Sequence, residues 1–475
     1  MSTAIKPAHE RELFGHPAGL YVLFFVEMWE RFSYYGMRAI LTLYLAAPVL
    51  LGDPTSGFGW SNAETIGFYG TYTMFVYLTS IPGGWIADKF IGQKRAVMLG
   101  GLLLCAGHGI LAIDAQWAFF TGLVLIVAGV GFLKPNISTM VGGLYKQGDE
   151  RRDKGFYLFY IGINLGAFFG ALAVGAVAAK YGWHYGFGLA GIGMALGQVV
   201  YMWGLKFLKG TGDFLGSSEN AEEKAIMKKP LTKIEKDRML VLFLSFLIII
   251  VFWGAFEQAG GLMNLYAEQK TNRMLSFDLP FVGNEVPAAW FQSVNAFFII
   301  VLGTAVAAFW YKWKMKGKEA SSLFKMAVGV IIMGLGFLFM TKATTEVVGV
   351  EGNYTEKAAM MWLVLAYLFH TIGELCASPV ALSFITKLAP VKYASFMMGA
   401  YFAATGLGNK VAGMVGEFSQ SAGEFEIFTG IAVFCSLFGL LIILLLKPLK
   451  RLTHGAEDLH PEEYKENEPY ELAEN

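Results

Sequence analysis

Twelve apolar segments recur along this 475-residue chain, and they constrain its fold more than any other feature. A helix that spans a bilayer needs about 20 predominantly apolar residues. Each segment reaches or exceeds that length, and polar stretches separate them. The segments are 18–50, 62–88, 94–114, 117–145, 154–180, 183–208, 238–268, 288–312, 321–342, 358–388, 392–419 and 424–448. The sequence therefore predicts an all-α membrane protein with 12 transmembrane helices.

The composition supports contact with lipid. Hydrophobic residues make up 55% of the chain and charged residues only 16%, whereas a soluble domain carries about a quarter charged residues. The formal net charge is zero, so nothing indicates a nucleic-acid partner. The three cysteines lie in apolar runs and are expected to be free buried thiols.

The basic residues predict the orientation. If both termini are cytoplasmic, the cytoplasmic segments hold 28 of the 37 lysines and arginines, as the positive-inside rule requires. We expect the polar N-terminus to carry no cleavable signal peptide, and we expect the first helix to direct insertion. We expect a multi-pass protein of the bacterial inner membrane.

One long polar stretch divides the predicted helices six and six. Two six-helix halves joined by a linker are typical of transporters built from repeats. The predicted organisation is an N-terminal tail (1–17), an N-terminal bundle (18–208), a cytoplasmic linker (209–237), a C-terminal bundle (238–448) and a C-terminal tail (449–475).

The first helix carries a charged stripe inside an apolar run. At about 100° per residue, its polar side chains fall within an arc of roughly 140°. They are Glu27, Glu30, Arg31, Tyr34, Tyr35 and Arg38. Charges at membrane depth are costly and usually face a cavity or an opposite charge. The stripe therefore indicates that the protein moves something polar across the bilayer.

Two further intramembrane charges complement the stripe. Lys134 is a lone cation in the fourth segment, and Glu27 and Glu30 are its expected partners. Glu374, in the tenth segment, opposes Arg31, Arg38 and Lys134 across the midplane, where transporters bind substrate. An acid facing several bases suits a zwitterion. The alternative is that the first-helix charges only fix helix register as a buried ion pair.

Several motifs carry a family resemblance. The loop GGWIADKFIGQKRA (Gly83–Ala96) resembles the loop motif of the major facilitator superfamily. The run EMWERFSYYG (Glu27–Gly36) resembles the ExxERFxYYG motif of the proton-dependent oligopeptide transporter (POT) family. GVGFLKPNIS (Gly129–Ser138), FYLFYIGINLGAFFG (Phe156–Gly170) and GELCASPVALS (Gly373–Ser383) resemble three further motifs of that family. The match spans nearly the whole chain and implies two six-helix bundles.

The resemblance also implies roles. Proton coupling would rest on Glu27, Glu30, Arg31, Lys134 and Glu257. Glu257 would pair with Arg38 in an extracellular gate, and Glu374 would hold the amino terminus of a peptide. Here Tyr401 stands where the family commonly has Trp, which leaves the size of the pocket open.

The predicted substrate-binding set adds neutral and aromatic side chains to these charges. Asn164 is equally compatible with an ordinary interhelical hydrogen bond. Aromatic walls suit a site that accepts many side chains. The full set is Arg31, Tyr34, Tyr35, Arg38, Tyr69, Tyr72, Lys134, Asn164, Trp253, Asn295, Glu374, Ser378 and Tyr401.

The resulting prediction is a symporter that imports di- and tripeptides with protons by alternating access, acting as a monomer in the lipid bilayer. No pattern indicates an enzyme, a metal site, a nucleotide-binding loop or another cofactor, so the proton gradient is the expected energy source. Two alternatives stay open. One is transport of another small solute, such as nitrate, a drug-like molecule or an amino-acid derivative, and the other is a peptide-sensing receptor.

Overall fold

The structure is a computed structural model, and it describes residues 11–146, 149, 151–213, 230–350, 352–390 and 393–456. Most of the predicted linker and most of both predicted tails lie outside these residues. The described part of the chain is mostly helical. The helices of the first half are α1 (Ala18–Ala46), α2 (Asn62–Leu78), α3 (Ser80–Ile86), α4 (Gln93–Leu111), α5 (Gln116–Gly143), α6 (Arg151–Tyr181) and α7 (Trp183–Gly204).

The second half continues with eight helices. They are α8 (Lys233–Phe256), α9 (Leu262–Lys270), α10 (Phe291–Met315), α11 (Ser322–Thr344), α12 (Met360–Leu388), α13 (Ala394–Ala422), α14 (Glu424–Leu444) and α15 (Leu446–Arg451). Single turns of 3₁₀-helix lie at Leu205–Phe207, Glu257–Ala259 and Ala288–Trp290, and a π-helical turn covers Ala87–Ile91.

Nine helical segments in the described part of the chain are long and apolar enough to cross a membrane. Helices also occupy the three remaining predicted spans, but these carry charges or a break. They are α1, the pair α2 and α3, and α13. The count of twelve crossings therefore stays a prediction, while the helical class is confirmed.

In the residues that the structure describes, eight short strands form four small two-stranded sheets, which the sequence did not predict. They are β1 (Glu12–Leu13), β2 (His16–Pro17), β3 (Thr271–Asn272), β4 (Met274–Leu279), β5 (Gly283–Glu285), β6 (Val348–Val350), β7 (Asn353–Glu356) and β8 (Ala358–Ala359). Strand β1 pairs with β2, β4 with β5 and β6 with β7 in antiparallel register, and β3 runs parallel to β8.

Local sequence explains where several helices begin. Ser61 caps α2 and Glu64 returns a bond to the Ser61 amide, a reciprocal capping box. Thr232 and Glu235 form the same box at the start of α8, so this helix begins before the predicted boundary at 238. Gly182, between α6 and α7, adopts a φ of +105°, a backbone conformation that residues with a side chain rarely adopt.

The helices pack as two groups that meet along two seams. In the first group α1 packs on α6 and α7, and α4 packs on α5 and α7. In the second, α11 packs on α12 and α14, and α13 packs on α8. The groups meet where α2 contacts α13 and where α6 contacts α10. This arrangement places the polar face of α1 between the two groups.

Candidate functional site

The charged stripe of α1 is buried within the protein. Glu30 is fully buried, and Glu27, Arg31, Tyr34 and Arg38 are each at most 8% exposed. Burial of so many charges on one helix requires compensating charges from its neighbours. The stripe therefore belongs to an internal site and does not face lipid.

Arg31 joins the two acids of its own helix. Its Nε lies 3.1 Å from Glu27 Oε1 and also contacts Glu30 Oε2. Its guanidinium carbon lies 5.5 Å from the centre of the Tyr34 ring. One base thus holds two carboxylates, and a proton on either acid would weaken its pairing.

Lys134 is not paired with these acids, contrary to the sequence-based prediction. Among the described residues it makes no ion pair, and its Nζ lies 3.7 Å from the centre of the Tyr77 ring. A cation over an aromatic face is attracted by the negative face of the ring. The prediction was wrong here because Arg31 occupies the carboxylates and Tyr77 offers Lys134 another position.

Arg38 and Glu257 bridge the two groups of helices. Arg38 Nη2 donates to Glu257 Oε2 at 2.8 Å, and the Tyr69 hydroxyl donates to the same oxygen at 2.9 Å. Glu257 is only 2% exposed. The Glu257 carboxylate therefore ties α1 and α2 to the 3₁₀ turn after α8, at the end of the molecule where α1 ends. We call this the gate end, after the role that the family resemblance predicts for Arg38 and Glu257.

A second polar layer lies beside this ion pair. Thr42 Oγ1 donates to the carbonyl oxygen of Gly260 at 3.2 Å. Asn264 Nδ2 donates to the carbonyl of Ala39 and to Thr42 Oγ1, each at 2.9 Å. A Cβ at residue 260 would overlap the Tyr69 hydroxyl. The gate end is therefore closed in this structure.

Sequence reasoning missed Thr42, Gly260 and Asn264. A signal was present for Thr42, because it lies one turn beyond Arg38 and falls within the same arc of the helix as the stripe. Asn264 and Gly260 also stand out, since they interrupt an apolar run. Their partners could not be identified without the tertiary structure.

Glu374 lies on α12 and is held by a neighbouring amide. Asn295 Nδ2 donates to Glu374 Oε2 at 2.8 Å and to Thr371 Oγ1 at 3.0 Å. Glu374 itself remains half-buried. The carboxylate is thus oriented by one hydrogen bond and keeps part of its surface available to a cationic group.

A related amide links this region to the gate end. Gln292 Nε2 donates to the Ala259 carbonyl at 2.6 Å and to the Tyr367 hydroxyl at 3.0 Å. Ala259 belongs to the same 3₁₀ turn as Glu257. Helices α10 and α12 therefore hold the turn that presents the Glu257 carboxylate.

The predicted aromatic residues fall on both sides of the site. Tyr34 and Tyr35 pack edge to face with ring centres 5.4 Å apart, and Arg38 lies 5.5 Å from the Tyr35 ring centre. Tyr72 is buried, and its hydroxyl has no partner among the described residues. On the other side the Tyr401 hydroxyl lies near Ser378 and Trp253.

Asn164 does not form the interhelical bond that we considered. Its Nδ2 donates to the carbonyl of Tyr160 at 2.9 Å, within its own helix α6. That alternative was wrong, and the proposed contact with a substrate amide stays a prediction.

The described residues contain no group of three or more His, Cys, Asp or Glu side chains that could hold a metal ion. Cys105, Cys376 and Cys435 are free. What the site offers is charge of both signs. Bases and acids on α1 lie on one side, and an amide-oriented carboxylate on α12 lies on the other.

Comparison with known proteins places this arrangement in a family. A sequence profile described as the POT family matches residues 94–218 and 214–429. The chain is 34% identical to the peptide transporter YePEPT of Yersinia enterocolitica, over 96% of this chain and 99% of that protein. It is 32% identical to a di-/tripeptide transporter of Lactococcus lactis, over 93% and 98%.

Solved structures agree in fold. A peptide transporter of the POT family in complex with alafosfalin superposes with a TM-score of 0.83 at 34% identity, covering 94% of this chain and 97% of that one. A POT family transporter in complex with 5-aminolevulinic acid gives a TM-score of 0.82 at 28% identity, covering 93% and 98%. The two packed groups of helices are the fold of the major facilitator superfamily, and this multi-pass membrane protein belongs to the POT family of transporters.

Proposed function

We propose that this protein imports di- and tripeptides together with protons by alternating access. The observation that carries the proposal is the pairing of Arg38 with Glu257, which closes one end of a site that contains Glu374. Sealing one end by an ion pair between the two groups of helices suits a protein whose ends open in turn. The names of the relatives support peptides as the substrate class.

In this cycle, peptide and protons enter while the gate end is open. Glu374 accepts the peptide ammonium group, and Arg31, Arg38 and Lys134 attract its carboxylate. Protonation of Glu257 releases Arg38 during the cycle. Glu27 or Glu30 then loses its proton, Lys134 moves from Tyr77 to the ionised acids, and the substrate is released into the cytoplasm. The energy comes from the proton gradient, without a bound cofactor.

The proposed orientation places the gate end outside the cell and both termini in the cytoplasm of a bacterium, within the inner membrane. The distribution of lysine and arginine supports it. A single chain supplies residues from both sides of the site, so the unit of transport is the monomer. Its partners are peptides and protons, and the protein is embedded in the lipid bilayer.

The decisive experiment is uptake into proteoliposomes with an imposed inward proton gradient. Labelled di-alanine should accumulate, and di- and tripeptides should compete better than free amino acids or tetrapeptides. Glu30→Gln and Lys134→Ala should abolish gradient-driven accumulation while peptide exchange without net uptake survives better. Glu356→Gln, which neutralises an exposed acid in β7, is the matched control and should accumulate peptide normally.

Full accumulation by Glu30→Gln or Lys134→Ala would refute the coupling roles. A second candidate is import of an amino-acid-derived solute, which the complex of a relative with 5-aminolevulinic acid favours. It would replace the first if di-alanine failed to compete for uptake while 5-aminolevulinic acid competed. A peptide-sensing receptor would bind peptide without any accumulation.

A further inference from the structure

A basic cavity of about 600 Å³ opens at the end of the second half that lies opposite the gate end. It is formed where α10 ends and α11 begins, together with the last three turns of α12 and with α15. Among the described residues that line it, five are lysines and one is glutamate. The lysines are Lys314, Lys318, Lys325, Lys387 and Lys450.

This cavity is separate from the site between the two groups of helices. Ser383 and Lys387 line it from α12. At about 100° per residue they project roughly 180° and 220° away from Glu374 on the same helix. The face of α12 that lines the cavity is thus turned away from the predicted substrate site.

The single acid of the cavity is already engaged. Glu319 Oε2 accepts a hydrogen bond from Lys450 Nζ at 2.8 Å, and Glu319 Oε1 accepts one from the Ser321 amide at 2.8 Å. Burial acts to raise the pKa of Glu319, but these hydrogen bonds outweigh it and hold the pKa below its usual range. The carboxylate therefore stays ionised and neutralises only one ammonium group, which leaves a surplus of positive charge.

A helix terminus adds to this positive potential. Helix α11 begins at Ser322, and its N-cap, Ser321, makes no side-chain capping bond. Both serines line the cavity. The N-terminus of a 23-residue helix carries a partial positive charge and directs amide groups outward. Lysines and a helix N-terminus converging on one cavity make a receptor for an anion with several oxygens.

Exposed aromatic residues lie on the helix turn beside the cavity. Lys318 Nζ lies 4.2 Å from the centre of the Trp313 ring, and Phe309 and Tyr311 are 52% and 40% exposed. Tyrosine and tryptophan are enriched where a helix leaves the membrane, and basic pockets on the cytoplasmic side of a membrane attract anionic headgroups.

We propose that this cavity binds a phosphate-bearing anion, with Lys314 and Lys387 holding the phosphate oxygens from opposite walls. The phosphate can belong to the headgroup of an anionic phospholipid or to a soluble phosphate compound. Both present the same tetrahedral group of oxygens, so the recognition chemistry is shared. An occupied cavity would bind the ends of α10, α11 and α12 to one another.

The test uses the purified full-length chain in detergent. Native mass spectrometry measures binding of phosphatidylglycerol against phosphatidylcholine, and calorimetry measures binding of inorganic pyrophosphate. We expect phosphatidylglycerol or pyrophosphate to bind, and the double variant Lys314→Gln/Lys387→Gln to weaken that binding roughly 10- to 30-fold, since each lysine near an anionic surface contributes about a factor of 5.

The matched control is Lys312→Gln/Lys316→Gln, which removes the same number of charges at exposed positions beside Lys314 and outside the cavity. It should leave binding unchanged. Preference for phosphatidylglycerol identifies the lipid as the source, and binding of pyrophosphate alone identifies a soluble anion. Absence of binding by both probes, or equal weakening by the control, would overturn the proposal. Thermal melting of each variant confirms that it is folded.

Discussion

Neutralising Glu257 should open the gate end. In Glu257→Gln the Arg38 guanidinium, 8% exposed, loses its counter-charge while the closed structure still buries it. Removing one partner of a buried ion pair costs about 3–5 kcal/mol. Opening the gate returns Arg38 to water and relieves that cost. If about 2 kcal/mol of this cost destabilises the closed state relative to the open state, the ratio of closed to open molecules falls about 30-fold.

Electron paramagnetic resonance can measure this ratio. Spin labels at Leu51, in the loop between α1 and α2, and at Asn284, in β5, report the distance between the two groups of helices at the gate end. Both positions are exposed, and the three native cysteines are first replaced by serine. Glu257→Gln should shift the distances to longer values. Arg38→Gln should do the same, because it leaves the carboxylate unpaired.

The double variant Arg38→Gln/Glu257→Gln tests whether the pair acts as a unit. With neither charge present, nothing buried remains uncompensated, so the closed population should partly recover. The coupling free energy between the two positions should then exceed about 1 kcal/mol, well beyond the ~0.3–0.5 kcal/mol scatter of independent sites. Additive effects, or unchanged distances in Glu257→Gln, would refute the assignment of this pair as the gate.

Tyrosine variants of α2 refine the measurement. Tyr69→Phe removes a hydrogen bond to the Glu257 carboxylate, and bonds to charged groups contribute about 1.5–3 kcal/mol. It should therefore open the gate about tenfold or more. Tyr72→Phe is the matched control, because the Tyr72 hydroxyl has no partner in the described residues. Equal opening by the two variants would contradict the role of Tyr69.

Two glycine pairs extend the test to close packing. Gly260→Ala should prevent full closure of the gate end in the same distance measurement, because the added Cβ would overlap the Tyr69 hydroxyl. In the control Gly261→Ala the added Cβ meets its nearest neighbour at an ordinary 3.4 Å, so the gate end should close normally. Equal distances in the two variants would contradict this geometry. Gly83→Ala should lower the melting temperature, since its Cβ would overlap the Gly131 backbone and overpacking costs about 1–3 kcal/mol. Gly109→Ala, which has open space at the Cβ position, should leave the melting temperature unchanged or raise it, and a loss as large as that of Gly83→Ala would rule out overpacking as the cause.

Apolar length and charge placement were enough to predict the helices and the buried face of α1. Both properties are local, because a span needs only length and a stripe needs only helical periodicity. The break after α8 was missed. The run through Phe256 reads as one helix, although Gly260 and Gly261 mark the interruption. The hairpin of β4 and β5 was also missed, since a two-stranded hairpin depends on the neighbours that support it.

The contacts within the site also divide into those that could be predicted from the sequence and those that could not. The family resemblance named Arg38 and Glu257 as partners, and the structure brings them together. No local pattern could show that Arg31 would occupy both acids, or that Lys134 would lie over Tyr77 instead. The partner of a long side chain depends on which groups the packed helices bring within its reach.

The net charge of the ionisable residues in the site determines how the transport cycle depends on membrane voltage. Four carboxylates face three cationic side chains, which leaves one net negative charge when all are ionised. The residues are Glu27, Glu30, Glu257, Glu374, Arg31, Arg38 and Lys134. Moving one elementary charge across 100 mV involves about 2.3 kcal/mol. A single bound proton would make the set neutral, so inward movement of the carrier with one proton and a zwitterionic peptide should be nearly independent of the membrane potential. In the proposed cycle the empty carrier returns without that proton and with one net negative charge, so its return should depend on the membrane potential.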